Sequence, residues 1–179
     1  VIIGFGGQFI GSPKRNYKED IYLYGKLAKE AAKRSKVPVA VILNEANEEK
    51  MIYQGMNAGF NTVMYQKEGE AFEDTVRITK EICRVAHFMG IDVESEVGEL
   101  SCADISTGTQ SPSHDTDVEQ AKYFVEETGI DALAVAIGNI HLLEDAKAQL
   151  NYGLLETLRK EIPVPLVLHG GTGVSAEDM

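Results

Sequence analysis

Two histidines stand where chemistry is expected. His141 follows the apolar run "ALAVAIG" (Ala132–Gly138), and His169 follows "VPLVL" (Val164–Leu168). Other apolar runs end on Asn44–Glu45 and on Gln66, and one strand-like run carries Glu94 and Glu96. Imidazole nitrogens and carboxylate oxygens are the ligands that zinc-like divalent ions take. Taken singly, either histidine reads equally well as a satisfied structural residue. Taken together, with carboxylates at other run ends, they favour a metal site. Of the other two histidines, His87 lies inside a helical pattern and reads as a packing residue, while His114 lies in a long loop and reads as solvated. Glu94 and Glu96 share one strand face, because side chains repeat every second residue. If buried, two carboxylates need cations or hydrogen-bond donors to offset desolvation. The alternative is that they face solvent, where carboxylates usually sit.

After His169 the chain reads Gly170, Gly171, Thr172, Gly173. Glycines after a strand let the backbone approach a bound anion closely, and successive N–H groups form a nest. The Thr172 hydroxyl adds a donor. The reading is a phosphate cradle beside a metal ligand, with a plain tight turn as the alternative.

Those residues need a frame. Six short runs read as strands: Val1–Gly7, Val37–Asn44, Asn61–Gln66, Asp92–Gly98, Ala132–Gly138 and Val164–Gly171. Most are rich in Val, Ile and Leu without clean alternation, as in a parallel sheet buried on both faces. Helical patterns lie between them. "KEDIYLYGKLAKEAAKRS" puts Ile21, Tyr24, Leu27, Ala28 and Ala31 on one face. "FEDTVRITKEICRVAHFMG" does so with Phe72, Val76, Ile82, Cys83 and Ala86, widened by Ile78, Val85 and Met89. "TDVEQAKYFVEETGIDA" opens on Thr116 or Asp117 as N-cap, and "YGLLETLRKEIP" is the last helix. This β-α alternation suits either an open doubly wound sheet or a closed (β/α)₈ barrel, which needs eight strands. In both, residues at the carboxyl ends of the strands converge on one site. The longest unpatterned loop, Glu99–Asp115, follows a strand and reads as a mobile lid on that side.

Composition narrows the classes. The 179 residues suffice for one domain with a core. A net charge of -11 argues against a non-specific nucleic-acid binder, yet leaves room for an anionic substrate at a local site. No apolar run reaches the length of a membrane span. Two cysteines without ligand-like spacing, Cys83 and Cys102, point to a reduced, cytoplasmic setting.

"LVLHGGTG", with "ALAVAIGNIH", "VESEVG", "NAGFNTVM" and "VPVAVILN", resembles the class II (metal-dependent) fructose-bisphosphate and tagatose-bisphosphate aldolases, in order and spacing, across nearly the whole chain. The resemblance implies a single (β/α)₈ TIM-barrel domain over 1–179. Six strands of it would be present, with the first strand, the last strand and the last helix beyond this sequence. It implies a carbon–carbon lyase for a phosphorylated ketose, and a homo-oligomer, dimer or tetramer. In such enzymes a divalent metal, usually zinc, is held by three histidines; it polarises the carbonyl of a dihydroxyacetone phosphate moiety and stabilises the enediolate. His141 and His169 match the second and third metal histidines. Gly170, Gly171, Thr172 and Gly173 match the substrate phosphate loop. Glu94 and Glu96 match an acidic pair that in relatives can hold a second metal position, and the resemblance implies that a carboxylate on the long loop or a strand handles the carbon-bound proton.

The chain departs from that pattern at the mouth. Where the family usually writes H-L-D-H, this sequence reads Ile42, Leu43, Asn44, Glu45. Asn44 takes the place of the catalytic aspartate, and Glu45 that of the first metal histidine. Gln66 replaces an aspartate, and Leu142 replaces a glycine where a side chain would crowd the phosphate. Two readings follow from the resemblance: a lyase whose metal sits on His141, His169 and Glu45, with Glu94 or Glu96 as base; or a non-catalytic or altered-specificity phosphosugar-binding protein. An unrelated phosphate-binding α/β enzyme is the third.

Overall fold

The computed structural model describes residues 1–10, 12, 15–17, 19–98, 101–102, 114–141 and 148–177. In chain order the elements are β1 (Ile2–Gly6), α1 (Ile21–Arg34), β2 (Ala40–Ala46), α2 (Glu49–Ala58), β3 (Thr62–Tyr65), α3 (Phe72–Phe88) and β4 (Asp92–Val97). Then follow β5 (Ser101–Cys102), α4 (Val118–Thr128), β6 (Ala132–Val135), β7 (Ile140–His141), α5 (Tyr152–Glu161), β8 (Leu166–Val167) and a 3₁₀ turn, Gly171–Gly173. Six strands form one sheet in the order β1-β2-β3-β4-β6-β8, and β5 pairs with β7 apart from it. All six expected runs are strands of that sheet. A doubly wound sheet reverses its strand order at a switch point. Here each strand of the six lies beside the next of them in sequence, which is the order of part of a barrel.

The chain divides into two compact units, Val1–Ser95 with Thr128–Asp131, and Glu96–Glu127 with Ala132–Met179. In the first, Val41, Ile42 and Leu43 are all buried, so β2 is covered on both faces, as its unbroken apolar run requires. Asp20 caps α1 by accepting the Tyr22 N–H at 2.8 Å. The buried face of α1 is Ile21, Gly25 and Ala28; Leu27, expected inside, is 61% exposed. Gly25 is the reason. A Cβ there would come within 2.6 Å of the Ala58 carbonyl oxygen, so α1 rests on the end of α2 through its smallest residue.

α2 has no counterpart among the sequence expectations. Its buried face is Ile52, Gly55, Met56 and Ala58, a helical spacing weakened to the eye by Gly55 and Asn57. It ends on Gly59, whose φ of 111° makes the left-handed cap. α3 buries Val76, Ile78, Ile82, Cys83 and Ala86 as expected, whereas Met89 is exposed. His87 is exposed rather than packed, and its Nε2 lies 2.9 Å from Asp131 Oδ2.

In the second unit Ala121, Phe124, Leu133, Ala134, Ile137 and Leu158 form the core. Asp117, not Thr116, caps α4: its Oδ1 accepts the Gln120 N–H at 2.8 Å. Thr116 is buried instead, donating to the Val97 carbonyl and accepting the Ala136 N–H. Of the expected lid, only Ser101–Cys102 and the segment from His114 are among the described residues.

Candidate functional site

β2 runs two residues further than its apolar stretch suggests and carries both rewritten residues. Asn44 is half-buried, and its carbonyl accepts the Gly7 N–H at 2.6 Å. Glu45 follows with φ 50°, the only non-glycine residue at positive φ among the described residues. The β2–β3 register shifts between Leu43 and Ala46, so this is a local irregularity that re-aims a side chain. A left-handed non-glycine residue costs about 1–2 kcal/mol. Such strain gathers at functional positions. The Glu45 carboxylate is held by Gln8, whose Nε2 donates to Oε2 at 2.7 Å. Gln66 sits just past β3 and ties that strand end to β2 by donating its N–H to the Ala46 carbonyl at 3.0 Å.

On β4, Val93, Ser95 and Val97 alternate with Glu94 and Glu96, and both faces are covered. Glu94 is 3% exposed and Glu96 is half-buried. The solvent-facing alternative therefore fails for Glu94, whose carboxylate the strand buries where an aliphatic residue would cost nothing, while Glu96 is only partly covered.

In the second unit the histidines come together. His141 is not at the end of β6, which stops at Val135; a turn through Gly138 (φ 93°) leads to β7, where His141 pairs in register with Cys102 of β5. His169 lies two residues beyond β8. Their rings meet edge to face, centroids 6.0 Å apart at 83°. Each offers a ring nitrogen, no more than 4.8 Å apart. Zinc–nitrogen bonds of about 2.0–2.1 Å put two nitrogens on one ion at most about 4.2 Å apart. A slight side-chain adjustment thus brings this pair onto a single ion, and the donors fit a divalent transition metal.

The glycines after His169 answer a packing need first. Gly170 has φ 69°, and a Cβ there would lie 2.8 Å from the carbonyl carbon and oxygen of Ile140. A side chain would therefore push the His141 segment away. Gly171–Gly173 make one 3₁₀ turn, in which Gly173 N–H donates to the Gly170 carbonyl and Val174 N–H to that of Gly171, both at 3.1 Å. The N–H groups of Gly171 and Thr172 open that turn. Leu142 lies outside the described residues.

One residue of this region carries no signal in sequence reading. Asn139, 1% exposed, sends its amide to three backbone groups, the His169 carbonyl among them. Asn in "IGNIH" reads as an ordinary turn residue.

Sequential parallel strands alternating with helices are the features of part of a (β/α) barrel, and in it two imidazoles, one in β7 and one just past β8, stand close together. Residues 8–179 match the family Fructose-bisphosphate aldolase class-II. The chain is 35% identical over 179 residues to YdjI of Escherichia coli (strain K12), covering 100% of this chain and 62% of that protein. It is 38% identical over 151 residues to the fructose-bisphosphate aldolase of Thermus caldophilus, covering 82% of this chain and 49% of that one. The crystal structure of the YdjI aldolase from Escherichia coli K12 superposes with a TM-score of 0.78 at 34% identity, over 99% of this chain and 60% of the other. The chain belongs to the class II fructose-bisphosphate aldolase family, a metal-dependent family, and spans about half to three-fifths of the length of these relatives.

Proposed function

We propose that the protein is a metal-assisted carbon–carbon lyase for a phosphorylated ketose, with a rebuilt proton-transfer position. The observation that carries the reading is the close pair His141–His169 in a chain of this family. Glu45 is proposed as the third ligand, giving two nitrogens and one oxygen, a sound set for zinc or a neighbouring divalent ion. An ion held there would act as a Lewis acid on the substrate carbonyl. The N–H groups of Gly171 and Thr172 and the Thr172 hydroxyl would hold the phosphate, with Gly170 and Gly173 shaping the turn. Glu94 or Glu96 would take the carbon-bound proton on a carboxylate oxygen. Asn44 offers the substrate hydroxyl a hydrogen bond but no proton transfer. We also propose a cytoplasmic dimer or tetramer. Among the described residues no helix is long and apolar enough to cross a membrane.

A second reading, a phosphosugar-binding protein without turnover, draws on Asn44 and Glu45, which stand where the family usually has the catalytic aspartate and the first metal histidine. Metal content after purification without added metal, followed by cleavage assays on a panel of phosphorylated ketoses, separates the two. The lyase reading expects a bound divalent ion, slow cleavage of fructose bisphosphate and faster cleavage of another phosphorylated ketose. Metal and phosphosugar binding without cleavage of any member would establish the second reading.

A further inference from the structure

We propose that Asn139 is the positioning residue that sets the separation of the His141 and His169 imidazoles. The inference rests on the metal-site reading above. The β6–β8 ladder ends at Ala134 and Val167, so it stops short of His169. Beyond that point Asn139 takes over. Its Nδ2 donates to the His169 carbonyl at 2.9 Å and to the Val135 carbonyl at 3.3 Å, while Oδ1 accepts the Ile137 N–H at 2.8 Å. An asparagine amide has two donors and one acceptor oxygen, and here both donors and the oxygen are engaged. The opposite amide orientation would set oxygen against two carbonyls, so the side chain has one working pose.

The same short segment holds both histidines. His141 lies two residues after Asn139, and the backbone of Gly170 presses on Ile140 from the other side. One buried amide and one missing Cβ thus lock the 139–141 segment to the 169–170 segment. Removing the amide takes one partner from the part-buried His169 carbonyl and another from the buried Ile137 N–H, and the two imidazoles lose their fixed spacing. Residues that orient metal ligands change affinity by about 10–100-fold when removed.

Thr116 supplies the control. It is comparably buried in the same unit, and its hydroxyl bonds two backbone groups, Val97 O and Ala136 N, neither of them in a histidine segment. Asn139→Ala, Asn139→Ser and Thr116→Val are each compared with the wild type for thermal unfolding, cobalt(II) affinity and the cobalt d–d absorption band. Positioning predicts that Asn139→Ala weakens cobalt binding by about 10-fold or more and shifts the band, with Asn139→Ser intermediate. Thr116→Val should keep affinity within about twofold and the wild-type band, even at equal or greater loss of Tm. If affinity falls in step with Tm in both series, or Asn139→Ala and Asn139→Ser leave it unchanged, Asn139 is only a structural stitch. If Asn139→Ala does not fold, Asn139→Ser decides alone. A wild type that binds no cobalt removes the metal-site reading itself.

Discussion

An amide cannot ferry a proton, and Asn44 stands where the family resemblance puts an aspartate. Glu45 beside it exchanges a neutral imidazole for a charge, which lowers the electrophilic pull of any ion it holds. The double change Asn44→Asp with Glu45→His should raise fructose-bisphosphate cleavage by roughly 10²–10⁴-fold, the usual worth of a positioned acid–base group. Backbone geometry permits the second half of that change, because histidine tolerates left-handed φ better than most residues and Glu45 sits at φ 50°. Steady-state cleavage with saturating zinc or cobalt measures it; strong activity in the unmodified protein would instead move the proton-transfer role to Glu94, Glu96 or a loop residue. His141 and His169 were legible as candidates because polar residues after apolar runs stand out, and Glu94 and Glu96 because two carboxylates recur on one face of a strand-like run. Asn139 was not, since its importance lies in three backbone groups that only the fold brings within reach. Gly170 was legible as a glycine, but the Ile140 carbonyl that requires it is thirty residues away in sequence.

Elements follow the same division. Runs such as "VAVIL" announce buried parallel strands, so all six strands of the main sheet could be read directly. α2 escaped because Gly55 and Ala58 make up half of its buried face beside Ile52 and Met56, and small residues in a helix carry little hydrophobic signal. That face can be tested by two helix glycines with opposite surroundings. At Gly25 in α1, an added Cβ would lie 2.6 Å from the Ala58 carbonyl oxygen and 2.8 Å from its carbon, both backbone atoms that cannot rotate away. At Gly153 in α5, it would meet only Asn151 Oδ1, at 3.7 Å. Alanine gains up to about 1 kcal/mol over glycine in a helix, and overpacking costs about 1–3 kcal/mol. Gly25→Ala should therefore lower the urea midpoint, while Gly153→Ala should leave it equal or raise it, each with unchanged m-value. A stabilised Gly25→Ala would mean that α1 does not rest on α2 through this glycine.

For the molecule as a whole, two buried weak acids, Cys83 and Tyr65, are expected to steepen the loss of stability at alkaline pH. Burial, with the Asp131 charge second, pushes the Cys83 thiol up to about 12 from 9.0. Burial also raises the Tyr65 phenol above 10.0, helped by its hydrogen bond to Glu70, whose Oε1 accepts from the hydroxyl at 3.0 Å. Both groups are neutral in the fold and ionise more readily when the chain unfolds. Above pH 9 the unfolded state therefore holds fewer protons than the folded one, and stability falls as pH rises. Cys83 contributes from about pH 9 to about 12, and Tyr65 joins above 10. Each adds at most about 1.4 kcal/mol per pH unit. The net charge of -11 adds self-repulsion over the same range, so the slope of the wild type alone does not identify its source. Cys83→Ala with Tyr65→Phe removes both acids and leaves the repulsion. Urea midpoints at pH 7.5, 9, 10 and 11 should fall less steeply in the double variant than in the wild type, although the variant starts lower because of the cavity left by the thiol. Parallel slopes would assign the alkaline loss to overall charge and to the other raised tyrosines, Tyr24 and Tyr53, and Cys83 and Tyr65 would then be ordinary core residues.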